Sequence, residues 1–270
     1  MSKRKFWTVG QIDATGVKGP HEKELEDISE AKNSLFINLD KDVLKNIVYQ
    51  DLGGIIENIG FSEDWTISIE MFPEVNIHMA YSYFGDEFDD GIEAEFKFYF
   101  SGKRVFWVPG EDIATYIDIL MDFIERKIKG RQPFEKSYKS KTKLMEKVLK
   151  QRSEPFKFLR DDEKEKLTDF LGAKVWKEEE RWHIKKEFFP EVIIEIEWDA
   201  QNGLDIKFSG NNLSRNIDSY HIEFVGIFFL NHILRFITVN NKDKDLPDIC
   251  YIMFSRYYTK NIGKWEHRVR

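Results

Sequence analysis

The sequence predicts an α+β fold in which one module is used twice, each copy a helix, a four-stranded antiparallel sheet and a second helix. Three observations predict it. Residues 65–77 read WTISIEMFPEVNI and residues 182–194 read WHIKKEFFPEVII, identical at 8 of 13 positions without a gap. Leu52-Gly53 and Leu171-Gly172 precede these runs, and Phe100-Ser101-Gly102 and Phe208-Ser209-Gly210 follow them. Strand-like alternation between the landmarks, followed by a long apolar helical stripe, calls for a sheet covered on one face by a helix.

The expected boundaries are an N-terminal arm at 1–37, module copy 1 at 38–129, a basic linker with a short helix at 130–158, copy 2 at 159–240 and a C-terminal extension at 241–270. In the arm, Gly10, Gly16, Gly19 and Pro20 interrupt any periodicity. Copy 1 opens with Asp40, whose carboxylate suits a helix N-cap, and Val43, Leu44, Ile47, Val48 and Leu52 then share one helical face up to Gly53. Trp65, Ile67, Ile69 and Met71 alternate with polar residues in a first strand, Pro73 breaks it, and a second runs from Val75 to Tyr83. Ala94, Phe96, Phe98 and Phe100 mark a third strand, and a fourth is expected over 104–108 after the Ser101-Gly102 turn. Glu111 or Asp112 then opens a helix whose apolar stripe runs from Ile113 to Ile128.

Copy 2 repeats the order. Asp161 or Asp162 caps a helix ending at Gly172, strands lie near 182–188, 192–198 and 204–208, a weakly marked fourth lies near 212–217, and a helix covers about 218–236. Between the copies a short helix is expected over 143–151.

Composition narrows the class. Apolar residues make up 41% of the 270, with 23 Phe and 7 Trp, enough for packed cores rather than disorder. The single cysteine, Cys250, excludes an internal disulfide and reads as a buried inert thiol, and the expected location is cytoplasmic. No signal-peptide pattern follows the basic N-terminus, and the longest apolar run, 224–230, is too short to predict a membrane span. The net charge of −7 is uneven: 126–160 holds 13 Lys or Arg against 3 Glu, so the rest carries −17.

Candidate chemistry is sparse. Glu74 and Glu191 each follow a proline, and downstream strands carry Glu95-Phe96-Lys97 and Asp205-Ile206-Lys207. This arrangement is similar to the loose signature of the PD-(D/E)xK nucleases, which implies carboxylates on a divalent metal and a lysine that orients water. The favoured reading of the same residues is a solvated strand face with a proline-shaped corner. The acidic loop 85–91 lacks the alternating ligand spacing of a calcium loop, and the six histidines are scattered. No nucleophile motif or phosphate-cradling loop is present in the sequence, so catalysis and cofactors are not expected.

Residues 72–116 resemble a small prokaryotic domain family of unknown function, through Phe72-Pro73, Gly85-Asp86-Glu87-Phe88 and Glu111-Asp112. That resemblance implies no activity. The doubled module with a linker is also similar in layout to the TATA-binding protein, which implies a nucleic-acid alternative. The functional expectation is a binding or scaffolding protein with a protein partner or a second copy of itself, and no membrane. The expected binding residues are Lys139, Lys141 and Lys143 in the linker and Tyr257, Tyr258 and Trp265 in the tail. The same basic and aromatic residues would serve the nucleic-acid alternative.

Overall fold

The computed structural model describes residues 4–15, 18–85, 93–130, 138, 140–210 and 217–268, and the chain divides into two compact units, Met1–Arg131 and Gln132–Arg270. Each unit holds one antiparallel four-stranded sheet with helices, an α+β architecture.

Unit 1 begins with α1 (Val9–Ile12) and α2 (Pro20–Lys32), then a 3-10 turn at Asn33–Phe36. Helix α3 (Lys41–Asn46) continues as a π turn, Ile47–Asp51. Asp40 caps α3, its carboxylate accepting from the amides of Asp42 at 2.7 Å and Val43 at 3.3 Å. The meander follows as β1 (Ile55–Glu57), β2 (Trp65–Phe72), β3 (Val75–Tyr83) and β4 (Ala94–Ser101), and α4 (Gly110–Ile128) closes the unit.

Unit 2 runs α5 (Lys143–Arg152), a 3-10 turn at Glu154–Phe158, α6 (Lys164–Leu171), then β5 (Lys174–Glu178), β6 (Arg181–Phe189), β7 (Val192–Asp199), β8 (Gly203–Ser209) and α7 (Ser219–Asn240). A 3-10 turn occupies Asp161–Glu163, so α6 starts after both aspartates expected to cap it. Gly53 and Gly172 both take the left-handed conformation that ends a helix, at φ +66° and +58°.

The two sheets share one register. Ile56 faces Ile67 as Val175 faces Ile184. Trp65 faces Tyr81 as Trp182 faces Trp198, and Ile77 faces Phe100 as Ile194 faces Phe208. Both second hairpins carry the same irregularity, between Glu70 and Phe72 and between Glu187 and Phe189.

The repeated letters are mostly this turn. Phe72 pairs with Val75 and Phe189 with Val192, leaving Pro-Glu as a two-residue connection. Proline presets the first turn position, and the second takes positive φ, +66° at Glu74 and +62° at Glu191. The strained amide is held in each copy by the repeat's other glutamate: Glu74 donates to Glu70 at 3.0 Å and Glu191 to Glu187 at 2.6 Å. The Phe-Ser-Gly landmark completes the corner. Gly102 (φ +110°) and Gly210 (φ +114°) lie against the Glu74 and Glu191 carbonyls, where a Cβ would come within 2.0 Å of the oxygen. Only glycine fits such a backbone at such an approach.

The fourth strand is not where alternation placed it. In unit 1 the residues after Gly102 coil into a 3-10 turn, Val105–Trp107, because the Arg104 amide bonds back to the Glu74 carbonyl at 3.1 Å. The fourth strand is instead β1, a three-residue piece too short to show a period of two, and β5 is its equivalent. The strand expected near 212–217 falls almost wholly outside the described residues.

The duplication also reaches further back than the landmarks suggest. Phe36 and Phe156 are both buried, at 5% and 0% exposure, in 3-10 turns ahead of the first module helix. Leu39 donates to the Phe36 carbonyl at 3.2 Å, and Leu159 to that of Phe156 at 3.0 Å. Phe36 packs on Tyr81 with ring centroids 5.9 Å apart, and Phe156 on the equivalent Trp198 at 6.2 Å. Trp65 meets the rings of Phe36, Tyr81 and Phe96. The described residues of stretch 1–37 are thus built into unit 1: α2 packs on α4 and β4, and Trp7 forms a bridge with Phe100. In unit 2, α5 packs beside β8 in the same way.

Helix α7 is long and apolar enough to cross a membrane by length and composition, with mean hydropathy 1.6. Some 89% of that window is buried within the fold, so it serves as a core helix. The apolar run 224–230 is therefore only the middle of a longer buried element.

Candidate functional site

The nuclease-like residues do not converge. Glu74 sits at the β2–β3 corner beside Gly102, paired with Lys103 at 3.0 Å and Arg104 at 3.4 Å. Glu95 lies at the other end of β4 and pairs with Lys97 at 2.6 Å. Seven residues at roughly 3.3 Å each put their backbones about 23 Å apart. In unit 2, Glu191 lies beside Gly210, and Asp205 is five residues back along the strand, about 17 Å away. An ion held at roughly 2.0–2.6 Å from each carboxylate cannot bridge either pair. Asp205 is instead engaged by Lys141 at 2.5 Å, and Lys207 by Glu197. Lys97 donates to Glu95 and Lys207 to Glu197, which raises both ammonium pKa values, so these lysines stay charged.

The expected binding residues fare unevenly. Lys139 and the acidic stretch 86–91 lie outside the described residues. Lys143 is exposed at the start of α5. Tyr258 and Trp265 are 4% and 8% exposed, packed on Phe254 with ring centroids 4.5 and 5.2 Å away, and Tyr257 is half-buried. The tail aromatics therefore build a small core of their own. Cys250 is fully buried, which pushes its thiol up to about 12 despite a hydrogen bond with Thr238.

A more organised polar constellation lies on the β2–β3–β4 face of unit 1 turned away from the α2 and α4 side. Ser68 on β2, His78 on β3 and Ser101 on β4 are 7%, 2% and 3% exposed. The pairs Ser68–His78 and Ile77–Phe100 set the three side chains across adjacent strands. Ser68 Oγ lies 2.6 Å from His78 Nδ1, and Ser101 Oγ 2.8 Å from His78 Nε2. Ser68 donates to Glu57 Oε1 at 2.7 Å, and Arg4 donates to the same oxygen at 2.7 Å.

These bonds fix one direction of donation. Glu57 accepts from Ser68, so Ser68 accepts from His78 Nδ1–H, and the bare Nε2 accepts from Ser101. The protonation states agree. Burial pushes the His78 imidazole down to about 4 against the opposing pull of Glu57, so the ring is neutral at neutral pH. Burial would raise the Glu57 carboxyl, but the bonds from Arg4 and Ser68 outweigh it and hold the group below its ordinary value.

The constellation is roofed by Phe6 and the loop that bears Phe61. Phe6 packs edge-on to His78 at 5.1 Å and to Phe61 at 5.4 Å, and Phe61 stacks on Tyr99 at 4.2 Å. The loop bearing Phe61 is folded by Glu63, which accepts from the amides of Ile59, Gly60 and Phe61 and from the Thr66 hydroxyl. A cleft of about 240 Å³ reaches Glu57, Ser68, His78 and Ser101, and is also lined by Arg4 and Asn76.

In unit 2 the same register positions hold other residues. Lys185 stands where unit 1 has Ser68, Glu195 where it has His78, and Trp176 where it has Glu57. His183 stacks on Trp176 at 4.9 Å and lies 3.4 Å from Glu195 and 3.8 Å from Glu197. Arg181 bonds Asp199 at 2.8 Å, and Lys185 approaches Glu195 at 3.9 Å. His183, Glu195 and Glu197 are close enough to share an ion, but Lys207 and Arg181 already neutralise Glu197.

The sequence alone leaves His78 among scattered histidines and does not single out Glu57, Ser68 and Ser101. The signal was present in the alignment of the two copies. At outward positions where copy 2 carries the charged or ionisable His183 and Lys185, copy 1 carries Thr66 and Ser68, which suit a covered face. No protein family, curated protein or solved structure matches the chain.

Proposed function

We propose that the protein acts by binding a protein partner, with the open sheet face of unit 2 as the contact. One observation carries this reading: the mixed-charge face around the stacked Trp176–His183 pair. Lys174, Arg181, Lys185 and Lys207 alternate there with Glu178, Glu195, Glu197, Asp199 and Asp205. An aromatic at the centre of complementary charge favours a folded protein surface over a polyanion, which needs a one-sign face.

The basic linker supports the nucleic-acid reading less than its composition suggests. Lys141 is paired with Asp205, Arg160 with Glu163 and Lys157 with Glu154, and Arg152 donates to Asn231. The test is quantitative capture from nuclease-treated lysate with the wild-type chain and with Trp176→Glu, washed at low and high salt. A protein retained by the wild type at both salts and lost with the variant is the expected outcome. Identical proteins from both chains, or nucleic acid alone that is lost at high salt, would overturn the reading.

A further inference from the structure

The fold of unit 1 does not require its buried relay. Unit 2 builds the same four strands in the same register with Lys185, Glu195 and an exposed Ser209 in the equivalent places. Unit 1 instead buries an imidazole, two hydroxyls and part of a carboxylate, groups whose desolvation is unfavourable unless every partner is met. The partners are met in one order, and that order ends at a hydroxyl. Ser101 donates to a neutral imidazole whose other nitrogen is held by Ser68 and, through it, by Glu57. A nucleophile within hydrogen-bond reach of a base, with the base oriented by a third group, is the arrangement that activates serine in acyl transfer. The cleft touches the hydroxyl end of the chain, and Arg4 and Asn76 place donors on its wall. Ser101 ends β4 immediately before the Gly102 corner, at a point where the backbone turns sharply away.

We propose that Ser101 is a nucleophile and that unit 1 is an acyl-transfer site for small esters, with His78 as the base. The Ser101 oxygen attacks the ester carbonyl, an Oγ–carbon bond forms, and the carbonyl π pair moves to its oxygen. The Ser101 proton passes to His78 Nε2. When the tetrahedral species collapses, the bond to the alkoxy group breaks and the departing alcohol takes that proton, leaving an acyl-Ser101. Water then attacks the acyl carbon, giving a proton to Nε2, and the Ser101–acyl bond breaks as Ser101 recovers it. The products are an alcohol and a carboxylic acid, with no change in oxidation state. Ser68 and Glu57 are positioning residues that hold the tautomer. The cleft volume restricts the acyl group to a small one.

The duplication supplies an internal control, because Ser209 occupies the same landmark in unit 2 and is exposed, whereas Ser101 is buried. The full chain is treated with an alkyl fluorophosphonate and the adduct located by peptide mass spectrometry, with p-nitrophenyl acetate turnover measured in parallel. A single adduct on Ser101, unaffected by Ser209→Ala and absent in Ser101→Ala, is expected. His78→Gln slows labelling by about a hundredfold, the scale of general-base assistance. Ser68→Ala moves the pH midpoint of labelling and Ser68→Thr restores it, which a purely structural serine would not do. Absence of any adduct on the wild-type chain overturns the proposal whatever the variants do. So does labelling of Ser209 at the rate of Ser101, since exposure alone would then govern reactivity.

Discussion

The two units carry the same ladder of paired residues and use its outer face in opposite ways. Unit 1 closes that face with Phe6 and the Phe61 loop and buries a directional chain of hydrogen bonds beneath them. Unit 2 leaves the face more open and lays ion pairs across it. The connection is responsible for part of the difference: between equivalent ladder positions the chain runs through 58–65 in unit 1 and 177–182 in unit 2, where four of the residues continue the hairpin. The lesson is that the corner and the core define this scaffold, whereas the outer face is free to become either a site or a contact surface.

The comparison breaks first if the equivalent core aromatics are not equivalent. Phe36→Ala and Phe156→Ala are each expected to lose about 4 kcal/mol in urea unfolding, the range for a buried phenylalanine. A large loss in one and a negligible loss in the other would sink the extended duplication. Next come the corner glycines. Gly102→Ala and Gly210→Ala each combine a forbidden φ with a backbone clash and are expected to lose about 3 kcal/mol or more, by the same measurement.

The relay gives unit 1 a pH dependence tied to His78. An unfolded histidine takes its proton near the ordinary 6.5, but the buried His78 does so only near 4. Protons therefore favour the unfolded chain across that window. Stability should be full above 6.5 and fall by about 3 kcal/mol as pH drops to 4, and His78→Gln should remove that slope. The lowered Glu57 carboxyl acts in the same direction at more acid pH. Thermal melts from pH 4 to 7 on both chains check this; an unchanged slope in the variant would place the sensitivity elsewhere.

Smaller effects sharpen the contrast. Ser68→Ala leaves His78 Nδ1–H and Glu57 short of a partner and is expected to lose about 1–2 kcal/mol. Lys185→Ala, at the equivalent position in unit 2, removes only an exposed cation and should change stability by less than about 0.5 kcal/mol. Equal losses would mean that the unit 2 face is as much a part of the folded core as the relay.

Much of this was legible in the letters and some was not. Asp40, Gly53, Gly172 and the strand periods from Trp65 to Phe100 specify local geometry strongly enough to be read directly. The Phe-x-x-Leu pair at Phe36 and Phe156 is not legible in the same way, because two letters in four carry little weight until both are seen on equivalent aromatic rings. Strands β1 and β5 take their identity from pairing with a neighbour, which no period within three to five residues can announce. Glu74 and Glu191 look like metal ligands because each follows a proline ahead of an acid-x-lysine strand; the turn's positive φ and the Gly102 and Gly210 contacts explain them physically. The relay depends on register across three strands, so it exists only once Ser68, His78 and Ser101 have been set side by side.

The helices beside the last strands bear on how the chain is made. An uncovered strand edge is a template for wrong pairing while a protein is still being synthesised. In unit 1 the outer edge of β4 is met by Ser29 and Asn33 at the end of α2: Ser29 Oγ accepts from the Phe96 amide at 2.8 Å, and the Asn33 side-chain amide donates to the Ala94 carbonyl at 2.6 Å. In unit 2, α5 lies beside β8. In both cases the cover precedes its strand in the sequence. It has already left the ribosome when the vulnerable edge emerges, so each sheet can be sealed at the moment its last strand arrives.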